Sequence, residues 1–399
     1  MSADAHVASR LYAARACRDF GDGFVAVLLP VYLLSLGLDP FAIGVVATLA
    51  LTGSALTTLS IGVWGSRFDP RTLLIGASTL MVATGSAFAA STSLWTVALI
   101  AFIGTINPTA GSLSIFVPLE HAVLARVASD ADRTHVFARY SLFGVIAAAL
   151  GSLASGSPDV LAAVGVSRLV ALKGMFLFYA ALGVAAGLFY RYVPPRSAAL
   201  EGAPPAALGP SRKTVYKLAA LFSIDSFAGG FAVQSLAALW LFHKFGLSLA
   251  MAGVFFFWTG VLSALSFPVA VWLSRRLGLI NTMVFTHIPS SICLMLAAVA
   301  PSLPLALGLL LVRAALSQMD VPTRSSYVMA VVTPPERTAA ASFTSLPRSL
   351  ASAASPSLAG ALFAGGFDAW PFVICGGLKI VYDFALLWTF RHVKPPEEA

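Results

Sequence analysis

Charged side chains stand inside stretches of this sequence that are otherwise almost continuously apolar. Each one costs several kcal/mol in hydrocarbon unless it is paired or faces water, so each marks a candidate site. The strongest group is Arg313, Asp320 and Arg324, whose spacings of seven and four residues put all three on roughly one helix face. An arginine held in an apolar cavity suits the carboxylate or phosphate group of a substrate. We therefore expect a substrate-binding site on this helix.

Neutral hydrogen-bonding residues extend the candidate substrate site. Gln318 and Tyr327 belong to the same apolar run, and Gln234 belongs to an earlier one. An alternative is that Asp320 and Arg324 only neutralise each other along the helix, because ion pairs at this spacing form readily. The remaining arginine of the group is then left unexplained.

Paired carboxylates near the amino terminus are the candidates for proton coupling. Asp19 and Asp22 are three residues apart and so are neighbours on one helix face. Two nearby carboxylates raise each other's proton affinity, and burial raises it further. We expect Asp22, which lies between two glycines, to be the coupling carboxylate, with Asp225 as the second candidate. The alternative is that Arg15 and Arg18 neutralise both aspartates of the pair.

The last apolar run carries one further pair of opposite charges, Lys379 and Asp383. The two residues are four positions apart, a spacing at which they can neutralise each other on one helix. We expect a self-contained ion pair there, without a transport role.

The elements that position these residues are long apolar segments. Hydrophobic residues make up 58% of the 399 residues and charged residues only 11%, whereas soluble domains carry about 25% charged residues. Twelve runs approach the roughly 20 residues that cross a bilayer. They cover 11–36, 41–64, 72–90, 94–124, 135–156, 169–192, 214–241, 248–272, 280–300, 304–332, 340–364 and 370–391. The sequence therefore predicts an all-α integral membrane protein with twelve transmembrane helices.

The two halves of the sequence repeat each other. VWGSR at 63–67 recurs as VWLSR at 271–275, an offset of 208 residues, and FGDGF at 20–24 recurs as FAGGF at 227–231. Matches in the same order at nearly one offset indicate two pseudo-symmetric copies around one central site. The expected parts are an amino-terminal six-helix half at 1–192, a cytoplasmic linker at 193–213 and a carboxyl-terminal six-helix half at 214–399.

One pair of charges occupies equivalent positions in the two repeats. Glu120 and Arg324 each follow a proline by two residues. Pseudo-symmetry predicts that this acid and this base face each other across the cavity, where they could form a gate. The alternative is that Glu120 pairs only with Arg126 or Arg139.

The remaining composition excludes several classes of protein. Basic residues cluster in alternate loops, which predicts cytoplasmic termini and explains the net charge of +8 without nucleic-acid binding. Cys17, Cys293 and Cys375 have neither metal-ligand nor disulfide spacing. We find no nucleophile–base constellation and no phosphate-binding loop for ATP. We therefore expect no enzyme activity, no cofactor and no metal site.

Six plus six helices with a linker resemble the major facilitator superfamily along nearly the whole sequence. That family's loop between helices 2 and 3 has the pattern Gly-x-x-x-Asp-Arg-x-Gly-Arg-Arg, which Gly62, Arg67 and Arg71 match. Ser66 stands where the family has aspartate, and Asp69 could take over as the carboxylate. The resemblance implies a gating latch at Arg67, Asp69 and Arg71, and a cavity lined by helices 1, 4, 7 and 10. A basic loop that only sets the topology is the alternative.

These observations predict a secondary active transporter in the cytoplasmic membrane. We expect a monomer that moves a small organic solute, a polar or anionic metabolite, by alternating access with protons as the coupling ion. Proton-driven efflux of drugs or toxic compounds is the alternative. A membrane-embedded enzyme or a channel is disfavoured, because the polar residues fall on helices related by the repeat.

Overall fold

The computed structural model of the chain describes residues 3–110, 114–127, 133–195, 208–333 and 336–392, and of residues 3–5, 66, 133, 134 and 338 only the backbone. Every regular element in these ranges is a helix. A helix satisfies its backbone hydrogen bonds internally, which is what a chain in lipid requires. The predicted all-α membrane fold is confirmed.

Seventeen α-helices follow one another along the described residues. They are α1 (Ala3–Ser35), α2 (Pro40–Trp64), α3 (Pro70–Ala90), α4 (Leu94–Ile103), α5 (Phe116–Val127), α6 (Arg133–Ala154), α7 (Ser157–Ala163), α8 (Arg168–Tyr190), α9 (Arg212–Gly230), α10 (Gln234–Phe245), α11 (Leu249–Leu277), α12 (Leu279–Ala298), α13 (Leu303–Ser317), α14 (Asp320–Val331), α15 (Arg337–Ala354), α16 (Pro356–Ala364) and α17 (Trp370–Phe390). A 3-10 turn, Gly65–Arg67, follows α2. In the described residues, nine helical stretches are long and apolar enough to cross a membrane.

Four of the predicted continuous helices are interrupted. The run 94–124 forms α4 and α5, 214–241 forms α9 and α10, 304–332 forms α13 and α14, and 340–364 forms α15 and α16. Apolar residues continue on both sides of each break, so hydrophobicity alone cannot reveal it. Breaks are tolerated at membrane depth where protein satisfies the freed backbone groups. One such contact links the break between α4 and α5 to the start of α10: the backbone N–H of Ser235 donates to the carbonyl of Pro108 at 3.1 Å.

The chain forms two compact units, which we call unit 1 (Met1–Leu200 with Val233–Gly260) and unit 2 (Glu201–Ala232 with Val261–Ala399). Helix α10 therefore belongs to unit 1, although its sequence lies in the second repeat, and α11 contains the boundary after Gly260. Most of the expected linker, residues 196–207, lies outside the described residues. The division into halves at 193–213 stays a prediction.

Small residues let α1 and α6 approach each other closely in unit 1. A methyl group on Gly151 would overlap the backbone carbonyl of Phe20, and one on Gly23 would overlap the backbone carbonyl of Ala148. Close backbone contact through small residues is a main source of helix association in membranes. The charged residues of α1 are thereby held against α6.

A buried apolar cluster holds five helices of unit 2 together. Its members include Phe222 of α9, Met283 of α12, Tyr327 of α14, Ala340 of α15 and Tyr382 of α17. These side chains are almost fully buried. The polar residues of the same five helices are consequently kept in fixed positions beside the cluster.

Alanine at Gly151 should destabilise the protein. We expect Gly151→Ala to lower the free energy of unfolding by about 1–3 kcal/mol, because the added methyl group forces α1 and α6 apart. Thermal unfolding of the purified protein measures the change. Gly174→Ala in α8 is the matched control, since no atom lies within 4 Å of the position of its methyl group, and it should stabilise the helix by up to about 1 kcal/mol. Equal melting temperatures for the two variants would contradict the close contact.

Candidate functional site

Arg18 of α1 is the centre of a buried ion-pair network in unit 1. Its Nη2 donates to Oε2 of Glu120 at 2.7 Å, and its Nε donates to the hydroxyl of Tyr190 at 3.1 Å. Arg18 is 1% exposed and Glu120 is 0% exposed. A buried ion pair is tolerated only when further hydrogen bonds satisfy its remaining polar atoms.

Two tyrosines supply those hydrogen bonds to the Glu120 carboxylate. The hydroxyl of Tyr190 donates to Oε1 and that of Tyr140 donates to Oε2, both at 2.5 Å. Glu120 therefore has Arg18 as its cationic partner, and neither of the two loop arginines considered from the sequence.

The two aspartates of α1 have different surroundings. Nε of Arg15 lies 2.9 Å from Oδ2 of Asp19, and Nη1 of Arg18 lies 3.7 Å from Oδ1 of the same residue. Asp22 is 4% exposed and, among the described residues, no cation lies within 4.0 Å of its carboxylate. Its Oδ1 accepts a hydrogen bond from the hydroxyl of Tyr179 at 3.3 Å. The two arginines consequently neutralise Asp19 but do not contact Asp22.

Asp225 of α9 is the centre of the network in unit 2. Its Oδ1 accepts a hydrogen bond from Nζ of Lys379 at 2.6 Å, and its Oδ2 lies 3.4 Å from Nη1 of Arg324. Nε2 of His287 lies 3.7 Å from Oδ1. One carboxylate thus joins α9 to α12, α14 and α17. Asp225 is held among cations, whereas no cation of the described residues lies within 4.0 Å of Asp22.

The expected ion pair between Lys379 and Asp383 is wrong. Lys379 contacts Asp225, and Asp383 faces Nδ1 of His287, which lies 3.0 and 3.1 Å from its two carboxylate oxygens. Partners on α9 and α12 replace the partner on the same helix, because α17 packs closely against both of them. His287 was missed from the sequence. Its one available signal was a histidine inside the apolar run at 280–300.

Asp320 and Arg324 do contact each other on α14, as their spacing allows. Asp320 lies in the first turn of α14, where the partial positive charge of the helix end favours a carboxylate. The pair leaves Arg324 incompletely satisfied. Its Nε has no hydrogen-bond acceptor among the described residues, and its Nη1 makes only the 3.4 Å ion-pair contact with Asp225. Its guanidinium carbon lies 5.4 Å from the centre of the Phe222 ring.

The other predicted substrate-binding residues are not all near this network. Arg313 of α13 is half-buried, and no carboxylate of the described residues lies within 4.0 Å of it. Gln318 lies at the break between α13 and α14. Tyr327 is fully buried in the apolar cluster of unit 2, and Gln234 begins α10 in unit 1. Their contact with a substrate stays a prediction.

The predicted gating residues Arg67, Asp69 and Arg71 lie in the stretch from the 3-10 turn to the start of α3. Arg67 is exposed at the end of the 3-10 turn. Asp69 caps α3, because its Oδ1 accepts a hydrogen bond from the backbone N–H of Arg71 at 3.2 Å. The latch at this loop stays a prediction, as does the gate between Glu120 and Arg324.

The chain is similar in sequence to a known protein family and to one curated membrane protein. The family described as Major Facilitator Superfamily matches residues 11–235 and 218–399. An uncharacterized membrane protein of Saccharomyces cerevisiae is 24% identical over 408 residues, which cover 93% of this chain and 91% of that protein.

Solved structures of transporters share the fold. The nucleoside transporter NupG superposes with a TM-score of 0.75 at 16% identity, covering 98% of this chain and 100% of that chain. A bacterial homologue of the iron transporter ferroportin, in an inward-facing state, superposes with a TM-score of 0.73 at 16% identity, covering 96% and 98%. A bacterial homolog of the human lysosomal transporter Spinster gives 0.70 at 14% identity, covering 97% and 95%. At these identities the similarity concerns the fold alone.

The Lys379–Asp225 pair should contribute strongly to stability. Lys379→Met leaves a buried carboxylate short of its nearest cation, so we expect a loss of about 3–5 kcal/mol in the free energy of unfolding. Combining it with Asp225→Asn should cost less than the sum of the single changes. Lys217→Met, at an exposed lysine of α9, is the control and should change stability by less than about 0.5 kcal/mol. If Lys379→Met melts like the control, the ion pair makes no net contribution.

Proposed function

Because the chain belongs to the Major Facilitator Superfamily, we propose that this transporter moves a small polar or anionic organic solute by alternating access, with protons as the coupling ion. The membrane is the cytoplasmic membrane, and both termini lie in the cytoplasm, as the basic loops indicate. The transporter works as a monomer. The proposed coupling rests on one observation: Asp22 is buried, and no cation of the described residues lies within 4.0 Å of its carboxylate.

Asp22 has the surroundings that a proton-binding carboxylate requires. Two guanidiniums, Arg15 and Arg18, stand against three carboxylates, Asp19, Asp22 and Glu120, so the network of unit 1 has one carboxylate in excess. Burying a carboxylate without a cation is costly, and binding a proton removes that cost.

The hydrogen-bond partner of Asp22 suits both of its charge states. The hydroxyl of Tyr179 lies 3.3 Å from Asp22 and 3.0 Å from the hydroxyl of Thr105. A hydroxyl can donate to a carboxylate or accept from a carboxylic acid. The proton can therefore bind and leave without an unsatisfied polar group.

The network around Asp225 supports a polar solute. Lys379, Arg324 and His287 surround this carboxylate on four packed helices. Groups of both signs held at fixed positions recognise polar or charged groups better than they recognise lipophilic molecules. An amphipathic drug would gain little from them.

A ligand screen tests the proposed class of solute, and we expect polar or anionic metabolites to stabilise the protein. Purified protein is heated with metabolites and, separately, with drugs. A ligand at 100 times its dissociation constant stabilises the folded state by about 2.7 kcal/mol, which raises the melting temperature. Stabilisation by drugs alone would replace the proposed solute class with drug efflux.

Asp22→Asn tests the coupling. We expect this variant to lose accumulation of the solute against its gradient in proteoliposomes with an imposed pH gradient, because asparagine cannot carry a proton. Exchange of solute across the membrane should continue, since the side-chain shape is unchanged. Radiolabelled uptake with and without a protonophore measures both activities.

Asp39→Asn is the matched control for that assay. Asp39 is exposed and caps α2 through a hydrogen bond from the backbone N–H of Ala42 at 2.8 Å, and asparagine caps helices equally well. The control should accumulate solute like the parent. Proton-driven accumulation that persists in Asp22→Asn would assign coupling to another residue, with Asp225 the next to test.

A further inference from the structure

We propose that unit 2 contains a binding subsite for one anionic group, a carboxylate or a phosphate, formed by Arg348, Arg324 and Tyr382 around the ring of Phe222. The inference rests on the proposed transport function and narrows its solute to an organic anion. Neither Arg348 nor Tyr382 was assigned to the substrate site from the sequence.

Three side chains from three other helices lie around the ring of Phe222 on α9. The guanidinium carbons of Arg324 on α14 and Arg348 on α15 lie 5.4 and 5.9 Å from the centre of its ring. The ring of Tyr382 on α17 packs edge-on against it with centroids 6.4 Å apart. Two guanidiniums and one phenol ring thus lie next to the same aromatic side chain.

Several hydrogen-bond donors of this group are unused. Nε of Arg324 and the hydroxyl of Tyr382 have no hydrogen-bond partner among the described residues, and Nη1 of Arg324 makes no hydrogen bond but lies 3.4 Å from Oδ2 of Asp225. Arg324 is 6% exposed and Tyr382 is 1% exposed, so bulk water does not satisfy them. Buried donors without acceptors are rare in native proteins. A ligand oxygen between these side chains would supply the acceptor.

Arg348 brings a charge that the described residues leave uncompensated. Its Nε donates to Oγ of Ser226 at 3.2 Å, and no described carboxylate lies within 4.0 Å of its guanidinium. Ser226 is neutral and cannot balance the charge. Arg348 is half-buried, which makes it the more accessible of the two arginines.

The carboxylates beside the subsite are engaged by other cations. Asp225 contacts both Lys379 and Arg324, and Asp320 contacts Arg324. Among the described residues, no carboxylate is left within 4.0 Å of Arg348. An anionic group beside Arg348 would supply its counter-ion where the unused donors are.

A structural role for the two arginines explains less of this arrangement. Contact between a guanidinium and an aromatic ring is favourable by itself, and it accounts for the positions of both arginines over Phe222. It leaves Nε of Arg324 and the hydroxyl of Tyr382 without hydrogen-bond partners, and Arg348 without a carboxylate within 4.0 Å, among the described residues. The anion accounts for all of these features together.

Anion binding tests the subsite in the full-length protein. In lipid nanodiscs at constant ionic strength, with chloride as the balancing ion, thermal unfolding is followed against inorganic phosphate and, separately, acetate. We expect saturable stabilisation by at least one of them. Arg348→Gln should raise the half-saturating concentration about 10- to 100-fold, because a hydrogen bond to a charged group is lost. A response to phosphate alone points to a phosphorylated solute, and a response to acetate alone points to a carboxylate.

Arg276→Gln is the matched control. Arg276 also lies over an aromatic ring, with its guanidinium carbon 4.3 Å from the centre of Trp272, but it is exposed on α11. This variant should bind both anions like the parent. An equal loss in Arg276→Gln would mean that the anions respond to surface charge, which contradicts the subsite.

Tyr382→Phe separates binding from folding. The hydroxyl has no partner to lose, so the melting temperature without anion should stay unchanged or rise, while the half-saturating anion concentration increases. A lower melting temperature with unchanged anion affinity indicates a structural hydroxyl and contradicts its place in the subsite.

Two outcomes overturn the inference as a whole. One is equal half-saturating concentrations in the parent and Arg348→Gln, and the other is the absence of saturable stabilisation by either anion. Proton-driven accumulation of a neutral or cationic solute would retain the proposed transport function and reject the anion subsite alone. Anion binding without proton-dependent transport would retain the anion subsite and reject the proposed proton-coupled transport.

Discussion

A charged side chain inside an apolar helical domain needs a partner, and this requirement organises both units. In unit 1, Arg18 holds Glu120 with the help of two tyrosines. In unit 2, Asp225 holds Lys379 and approaches Arg324. Because these partners lie on different helices, each ion pair also fixes the packing of the helices that carry it. Removing one partner therefore disturbs the helices as well as the charge.

Helix breaks work together with the ion pairs in unit 2. The chain leaves α13 at Gln318 and begins α14 at Asp320, so the carboxylate lies at a helix amino terminus whose partial positive charge stabilises it. Arg324 follows one turn later and contacts both this carboxylate and Asp225. An unbroken helix would offer Asp320 no such end. The break is thus part of how a charged site is accommodated within an apolar unit.

The same sequence spacing led to opposite results at two places. Residues four apart predicted the contact of Asp320 with Arg324, which forms, and that of Lys379 with Asp383, which does not. Spacing identifies residues that share a helix face, but it does not say which neighbouring helix that face meets. On α17 the face meets α9 and α12, whose Asp225 and His287 are closer partners. His287 carried only a weak local signal. Arg348 was visible as a charge inside the run at 340–364, but no second charge in that run indicated its role.

The sequence by itself determined the class of protein, the apolar segments and the repeat, because composition and hydrophobic runs are local properties that any folded form must keep. The positions of charges within those segments were equally readable. Only the tertiary structure decided which charges are paired and which are left over. Arg18 and Glu120 are separated by 102 residues, and Lys379 and Asp225 by 154. Partners at such distances are chosen by helix packing, which depends on shape across the whole unit and leaves no short pattern in the chain.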